Sequence, residues 1–188
     1  MALTDFSIIL AGFGGQGILS AGRIVASAAL IEGHEVSWFP SYGPEMRGGT
    51  ANCGVVISDS TIGSPVINDT DVFIALNGPS LDKFTRQVKP GGLIIVDSTL
   101  VKAIPSRQDV RFFSIPASDL ANELGNMNFA VVFLLGCLAA NSDCISRASF
   151  EAALQEVLPA RHHHLIPEEL KVFDQGADFE PTDLMLSL

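Results

Sequence analysis

The apolar positions of this chain change period several times, and each change marks an element. Phe6 to Ala11 is short and almost wholly apolar, the pattern of a buried strand. Beyond the glycines that follow, Ile18, Ala21, Val25 and Ala28 recur at helical spacing, which predicts a helix from about Gly17 to Glu32 that Gly33 ends. Its small residues Ala21, Gly22 and Ala28 would let it lie close on a sheet. Glu35 to Phe39 carries Val36, Trp38 and Phe39 and reads as a second strand, so the start is a right-handed βαβ unit. Thr50 to Ile57 and Val72 to Leu76 read as further strands, and Val66-Ile67 as a short one. Ser80 caps a predicted helix through about Val88, which Pro90-Gly91-Gly92 stops. Leu93 to Val96 and Val110 to Ile115 are the remaining strands. After Pro116 the pattern is helical: Ser118 to Leu124, Phe129 to Ala140 (apolar nearly all round), Ser146 to Leu158, and a shorter helix after Pro167. The alternation predicts an α/β fold in one domain, residues 1–188. It would be a doubly wound, mostly parallel sheet flanked by helices, with a Rossmann-like start and a helical C-terminal part.

Two glycine-rich stretches interrupt this pattern. The first, Gly12-Phe13-Gly14-Gly15-Gln16-Gly17, joins the first strand to the first helix. A helix start presents unpaired N–H groups and the positive end of the macrodipole, and glycines let an anion approach the backbone. The spacing Gly12-x-Gly14-x-x-Gly17 also matches the dinucleotide fingerprint. That fingerprint asks for an acidic residue at the end of the second strand, where Phe39-Pro40 stands instead. Glu35 opens that strand, several residues too early, and no Arg or Lys follows at once to take a 2′-phosphate. A stand-alone NAD(P)-binding oxidoreductase is therefore the secondary reading; glycines needed only for close helix packing are another.

The second stretch runs from Pro40 through Ser41-Tyr42-Gly43-Pro44-Glu45-Met46-Arg47-Gly48-Gly49 and can continue neither strand nor helix. It leaves the carboxyl end of the second strand, where open parallel sheets bind ligands, and should face the same crevice as the first stretch. Arg47 could hold a phosphate or carboxylate bidentately; a salt bridge to Glu45 or to another subunit is its competing role. The candidate binding residues are Gly12, Gly14, Gly15, Gln16, Gly17, Ser41, Tyr42, Gly43, Arg47, Gly48 and Gly49.

Composition narrows the partners. The chain of 188 residues is 47% hydrophobic and only 17% charged, which fits either a well-filled core or a surface partly covered by another chain. A net charge of −10 with no basic stripe argues against nucleic acid, so any phosphate site must be local. Cys53, Cys137 and Cys144 form no C-x-x-C and cannot by themselves ligate an iron–sulfur cluster; their number and spacing suit a reducing compartment. The N-terminus does not read as a signal peptide, and Phe129 to Ala140 falls short of the ~20 residues of a membrane span. A cytoplasmic protein without membrane contact is the expectation.

The two glycine stretches, with Thr50, closely resemble the gamma subunit of 2-oxoacid:ferredoxin oxidoreductases. Support continues through Pro79-Ser80-Leu81, Lys89-Pro90-Gly91-Gly92 and Gly125-Asn126-Met127, and weakens after about Ser142. The resemblance implies an enzyme complex that oxidatively decarboxylates a 2-oxoacid, joins the acyl group to coenzyme A and reduces ferredoxin. It implies alpha and beta subunits holding thiamine diphosphate with magnesium, and iron–sulfur clusters in beta or delta subunits. The gamma chain would pack on these partners and contribute to coenzyme A binding. It would hold no catalytic residue and no metal, and would be inactive alone. Among the subtypes, the short acidic chain resembles the 2-oxoglutarate form most. The residues agree, since the chain shows neither cluster ligands nor a thiamine–magnesium motif. A sensing or scaffolding module without chemistry is a third reading.

Other residues weigh less. His162, His163 and His164 are adjacent, so on a helix they point about 100° apart and read as a solvated turn rather than a metal site. Asn77, Asp97 and Ser98 end strands on the binding side, but capping and turn roles explain them as well. Cys53 reads as a buried small hydrophobe, with a reactive thiol as its alternative.

Overall fold

The structure, a computed structural model, describes residues 5–41 and 50–182. Its strands are β1 Phe6–Phe13, β2 Glu35–Ser41, β3 Thr50–Ser58, β4 Thr70–Ala75, β5 Val88–Asp97 and β6 Arg111–Ile115. Its helices are α1 Ile18–Ile31, α2 Gly78–Phe84, α3 Ala117–Glu123, α4 Phe129–Asn141, α5 Arg147–Val157 and α6 Ile166–Ala177, with short 3-10 turns at Thr85–Gln87 and Ala160–Leu165. The strands form one six-stranded sheet in the order β2-β3-β1-β4-β5-β6. β1, β4, β5 and β6 run parallel, and β3 is antiparallel to both β1 and β2. The fold is α/β with a mostly parallel sheet, as predicted.

β1, α1 and β2 form the predicted βαβ start, with β1 and β2 running in the same direction, but the two strands are not neighbours, because β3 lies between them. Burial explains the order. In β3, Ala51, Cys53, Val55, Val56 and Ile57 are all buried, so the strand is covered on both faces and belongs inside the sheet. β2 exposes Phe39 and contains Pro40, which lacks an N–H and is tolerated at an edge. The same pairing lengthens β1 beyond its predicted end: Gly12 sits opposite Ala51 and Phe13 opposite Thr50.

Two further boundaries differ. Val66-Ile67 forms no strand; Ile67 packs on the smaller core cluster, in the space left beside Gly54 of β3. The helix after Asn77 ends at Phe84, and β5 begins at Val88 and runs through Pro90, Gly91 and Gly92. Tertiary pairing overrides the local breakers there. Val88 pairs with Thr70, Lys89 Nζ donates to both Asp71 oxygens at 2.8 and 2.9 Å, and Gly91 N donates to the Asp109 carbonyl at 2.6 Å.

The two faces of the sheet are covered unequally. Ile8 and Leu10 of β1 point into a large core with α1, α4, α5 and α6, whereas Ile9 and Ala11 join a smaller core with Leu81 and Phe84 of α2. α4 lies inside the larger core, which accounts for its lack of a polar face. No helix among the described residues is long and apolar enough to cross a membrane. α6 begins one residue before Pro167 and, at 12 residues, is longer than the 11-residue α5 rather than shorter.

Candidate functional site

The turn from β1 into α1 is built by close approach and by left-handed backbone. A Cβ on Gly12 would lie 2.5 Å from Gln16 Oε1 and 2.9 Å from Leu76 Cβ, so no side chain fits there. Gly15 and Gly17 have φ of 92° and 78°, in the region glycine enters without steric cost. Gly17 is the N-cap of α1, makes no side-chain cap, and no acidic residue follows in the first turn. The N–H groups of Ile18, Leu19 and Ser20 thus lack both a helical acceptor and a capping side chain. They border a cavity of about 330 Å³ that Phe13, Gly14, Gly15, Ala51 and Asn128 also line.

Gln16 has another role than the sequence suggests. Its Oε1 accepts from Phe13 N at 2.6 Å, and its Nε2 donates to the Leu76 carbonyl at 3.2 Å. Both polar ends of the side chain are engaged within the protein, and they tie the turn to the end of β4. On that side lies a second cavity of about 350 Å³, lined by Gly15, Gln16, Thr99, Ser118 and Asn128 among others. It sits where the chain order of the sheet reverses, between β1 and β4, the usual ligand crevice of open sheets. Thr99, Ser118 and Asn128 were not among the candidate residues. The strand-end rule reaches as far as Asp97-Ser98-Thr99, but the corner before α4 comes to the turn only through tertiary packing.

The second stretch starts and ends at this same edge. Ser41 pairs opposite Asn52, and Thr50 opposite Phe13, so the chain leaves β2 and enters β3 at the carboxyl end of β1. Ser41 is exposed at that edge. Tyr42, Gly43, Arg47, Gly48 and Gly49 lie outside the described residues.

The competing residues fall to structural roles. Asn77 Oδ1 accepts from Ser80 N at 2.8 Å and caps α2. Asp97, fully buried, accepts from Ser118 Oγ at 2.5 Å, Ser118 N at 3.2 Å and Thr99 N at 3.1 Å, joining the end of β5 to the start of α3. Cys53 is buried and its Sγ reaches the Ile18 carbonyl at 3.5 Å; burial pushes the thiol up to about 12, so it is no thiolate at neutral pH. The three histidines occupy the 3-10 turn before α6, where His163 Nε2 lies 2.9 Å from the Leu158 carbonyl and His162 Nε2 accepts from Arg161 Nε at 3.1 Å. Among the described residues, no group of three or more potential ligands could hold a metal ion. Glu169, which the sequence did not single out, is buried in the first turn of α6 without a hydrogen bond, and burial pushes its carboxyl up to about 7.

Comparison with known proteins fits this arrangement. The Pyruvate ferredoxin/flavodoxin oxidoreductase family matches residues 7–179. The chain is 39% identical over 181 residues to ketoisovalerate oxidoreductase subunit VorA of Methanothermobacter marburgensis, covering 96% of this chain and 37% of that protein. It thus spans about a third of the length of the VorA relatives it matches. It is 37% identical over 155 residues to 2-oxoglutarate synthase subunit KorC of Methanocaldococcus jannaschii, covering 81% of this chain and 83% of that one. A solved 2-oxoglutarate:ferredoxin oxidoreductase from Magnetococcus marinus, with 2-oxoglutarate, coenzyme A and succinyl-CoA bound, superposes with a TM-score of 0.81 at 28% identity, over 92% of this chain and 30% of that chain. With the family match across nearly the whole chain and relatives of 37–39% identity, this chain belongs to the pyruvate ferredoxin/flavodoxin oxidoreductase family.

Proposed function

We propose that this chain is the gamma-type part of a thiamine-diphosphate-dependent 2-oxoacid:ferredoxin oxidoreductase and contributes to coenzyme A binding. The complex would convert a 2-oxoacid and coenzyme A to acyl-CoA and CO2, with the electrons passing to ferredoxin. One observation carries the reading. The start of α1 is uncapped, has no acid in its first turn, and lies at the edge where the segment between Ser41 and Thr50 leaves and returns. The first-turn N–H groups of α1 would hold a phosphate of coenzyme A, and Arg47 would add a bidentate contact. Gly14, Gly15 and Gly17 let the ligand approach the backbone, Gly12 makes room for Gln16 and Leu76 to pack, and Gln16 keeps the turn in shape.

The alpha and beta partners, with a delta chain where present, would carry thiamine diphosphate, magnesium and the iron–sulfur clusters, and ferredoxin would be reached through them. All three cysteines described have thiols that burial pushes up to about 12, which suits packing rather than cluster ligation. The proposed 2-oxoacid is 2-oxoglutarate. Support comes from KorC, which this chain matches over most of both lengths, and from the coenzyme A-bound 2-oxoglutarate relative. The NAD(P) reading loses ground because β2, whose end would bear the ribose acid, is two strands from β1, about 10 Å away.

The test is to purify the chain with the proteins that associate with it and assay several 2-oxoacids with and without it. Coenzyme A-dependent ferredoxin reduction, fastest with 2-oxoglutarate and lost without this chain, is the expected result. Activity indifferent to its removal would refute the proposal.

A further inference from the structure

The cavity of about 350 Å³ between the glycine turn and α3 carries side chains that the phosphate site does not use. Its apolar wall is formed by Leu76, Leu100, Met127 and Ala130, with Leu100 and Met127 half-exposed at the rim. Asp119 and Asn122 also line it, three residues apart on α3 and so on one face of that helix, and Asn128 lines it from the corner before α4. The backbone N–H of Asp119 donates to Thr99 Oγ1 at 3.1 Å and that of Asn128 to Asn126 Oδ1 at 3.1 Å, which fixes both corners. The Asp119 carboxylate and the Asn122 and Asn128 amides themselves make no hydrogen bond or ion pair among the described residues. One end of the cavity meets the proposed anion site, for Gly15 and Asn128 line both spaces.

Apolar walls with a thioether at the rim suit a flat aromatic ring, since methionine sulfur packs well against such rings. The unengaged polar groups add a second demand. A carboxylate only accepts, whereas an amide both donates and accepts, so the ring should bear an amino group beside ring nitrogens. Adenine meets both demands: an asparagine amide pairs with its N6 and N7, and a carboxylate accepts the other N6–H. Hypoxanthine, with oxygen at position 6, would set acceptor against acceptor. We infer that this crevice holds the adenine of coenzyme A, with Asp119 accepting from the exocyclic amine, while the attached phosphate rests at the start of α1. The assignment rests on the proposed binding of coenzyme A and goes beyond it by fixing which end of the ligand this chain grips. The thiol-bearing arm then leaves over Phe13 and Gly14, both exposed, towards the partner chains that would carry the acyl group.

The experiment titrates the full chain, assembled with its co-purified partners, with coenzyme A, adenosine 3′,5′-bisphosphate and inosine 3′,5′-bisphosphate. The two bisphosphates lack the arm and differ from each other only in the base. The wild type is expected to bind the adenosine form about tenfold more tightly than the inosine form. Asp119→Ala should weaken coenzyme A and the adenosine form about tenfold and leave the inosine form unchanged, which erases the preference. Asn122→Trp, which brings a bulky ring to the crevice from an exposed position, should weaken all three and covers the case in which Asp119→Ala perturbs the start of α3. With coenzyme A still bound by the wild type, the inference would be overturned by equal affinity for the two bisphosphates, by binding of neither, or by a preference that survives Asp119→Ala. Coenzyme A affinity unaltered by Asn122→Trp, with weaker association with the partner chains, would assign the crevice to subunit docking and overturn it also. Failure of the wild-type assembly to bind coenzyme A would overturn both the inference and the reading beneath it.

Discussion

Three residues set the local character of the candidate site. Gln16 satisfies Phe13 N and the Leu76 carbonyl at once, so Gln16→Ala should cost about 1–2 kcal/mol, measurable by urea denaturation. Coenzyme A affinity should fall with it as the turn loosens. Gly17 sits at φ 78°, and Gly17→Ala should cost about 1–2 kcal/mol for the left-handed backbone alone. Glu169 makes stability depend on pH. Its folded value of about 7 exceeds the ordinary 4.5, so between these values the folded state binds the additional proton. Stability should therefore fall as pH rises from 4.5 towards 7 and then level off, by about 3 kcal/mol in total. Glu169→Gln should flatten that slope and make the protein more stable than wild type at pH 8. Chemical denaturation across the range checks the sign.

At the scale of elements, the tightest contact is between α4 and α6. A Cβ on Gly136 would overlap the Phe173 carbonyl, and one on Gly176 the Phe133 carbonyl, so the two helices touch backbone to backbone where they cross. Phe150 of α5 stacks on Phe173 of α6 at 4.1 Å and closes the same corner. Gly136→Ala and Gly176→Ala should each lose about 1–3 kcal/mol, because neither backbone can withdraw. In a chain of this size that is about 2–12 °C in Tm. Gly63→Ala, where an added Cβ meets nothing within 4 Å, is the neutral control. The crossing matters to the site because α4 and α6 carry Asn128 at their corner and Glu169 in the first turn, and both border the cavities beside α1.

For the whole molecule, the arrangement of strands brings Ser41 and Thr50, which flank the second stretch, to the edge that carries the turn at 12–17. β1 and β2 run in the same direction with β3 returning between them, so the chain before Tyr42 and the chain after Gly49 are both anchored beside the turn at 12–17. Arg47 itself lies outside the described residues, and its proposed role is tested by substitution. In the assembled complex, Arg47→Ala should raise the KM for coenzyme A about tenfold while kcat is retained, the signature of a lost binding contact. An equal loss in kcat would instead assign Arg47 to the reacting centre or to the contact between subunits.

Periodicity alone located nearly every element, because each buries one face or two against its neighbours and its apolar residues must recur accordingly. The glycine turn and the helix it opens were legible for the same local reason, as glycine spacing and strand ends are features of the chain itself. What only the tertiary structure decided depends on neighbours that local sequence does not specify. β3 takes the place beside β1 because it can be buried on both faces and β2 cannot. Lys89 to Gly92 stay in a strand because Asp71 and Asp109 hold them. Gln16 braces the turn because the Leu76 carbonyl is within reach, and Glu169 faces a cavity without a donor because α1, α4 and α6 meet around it.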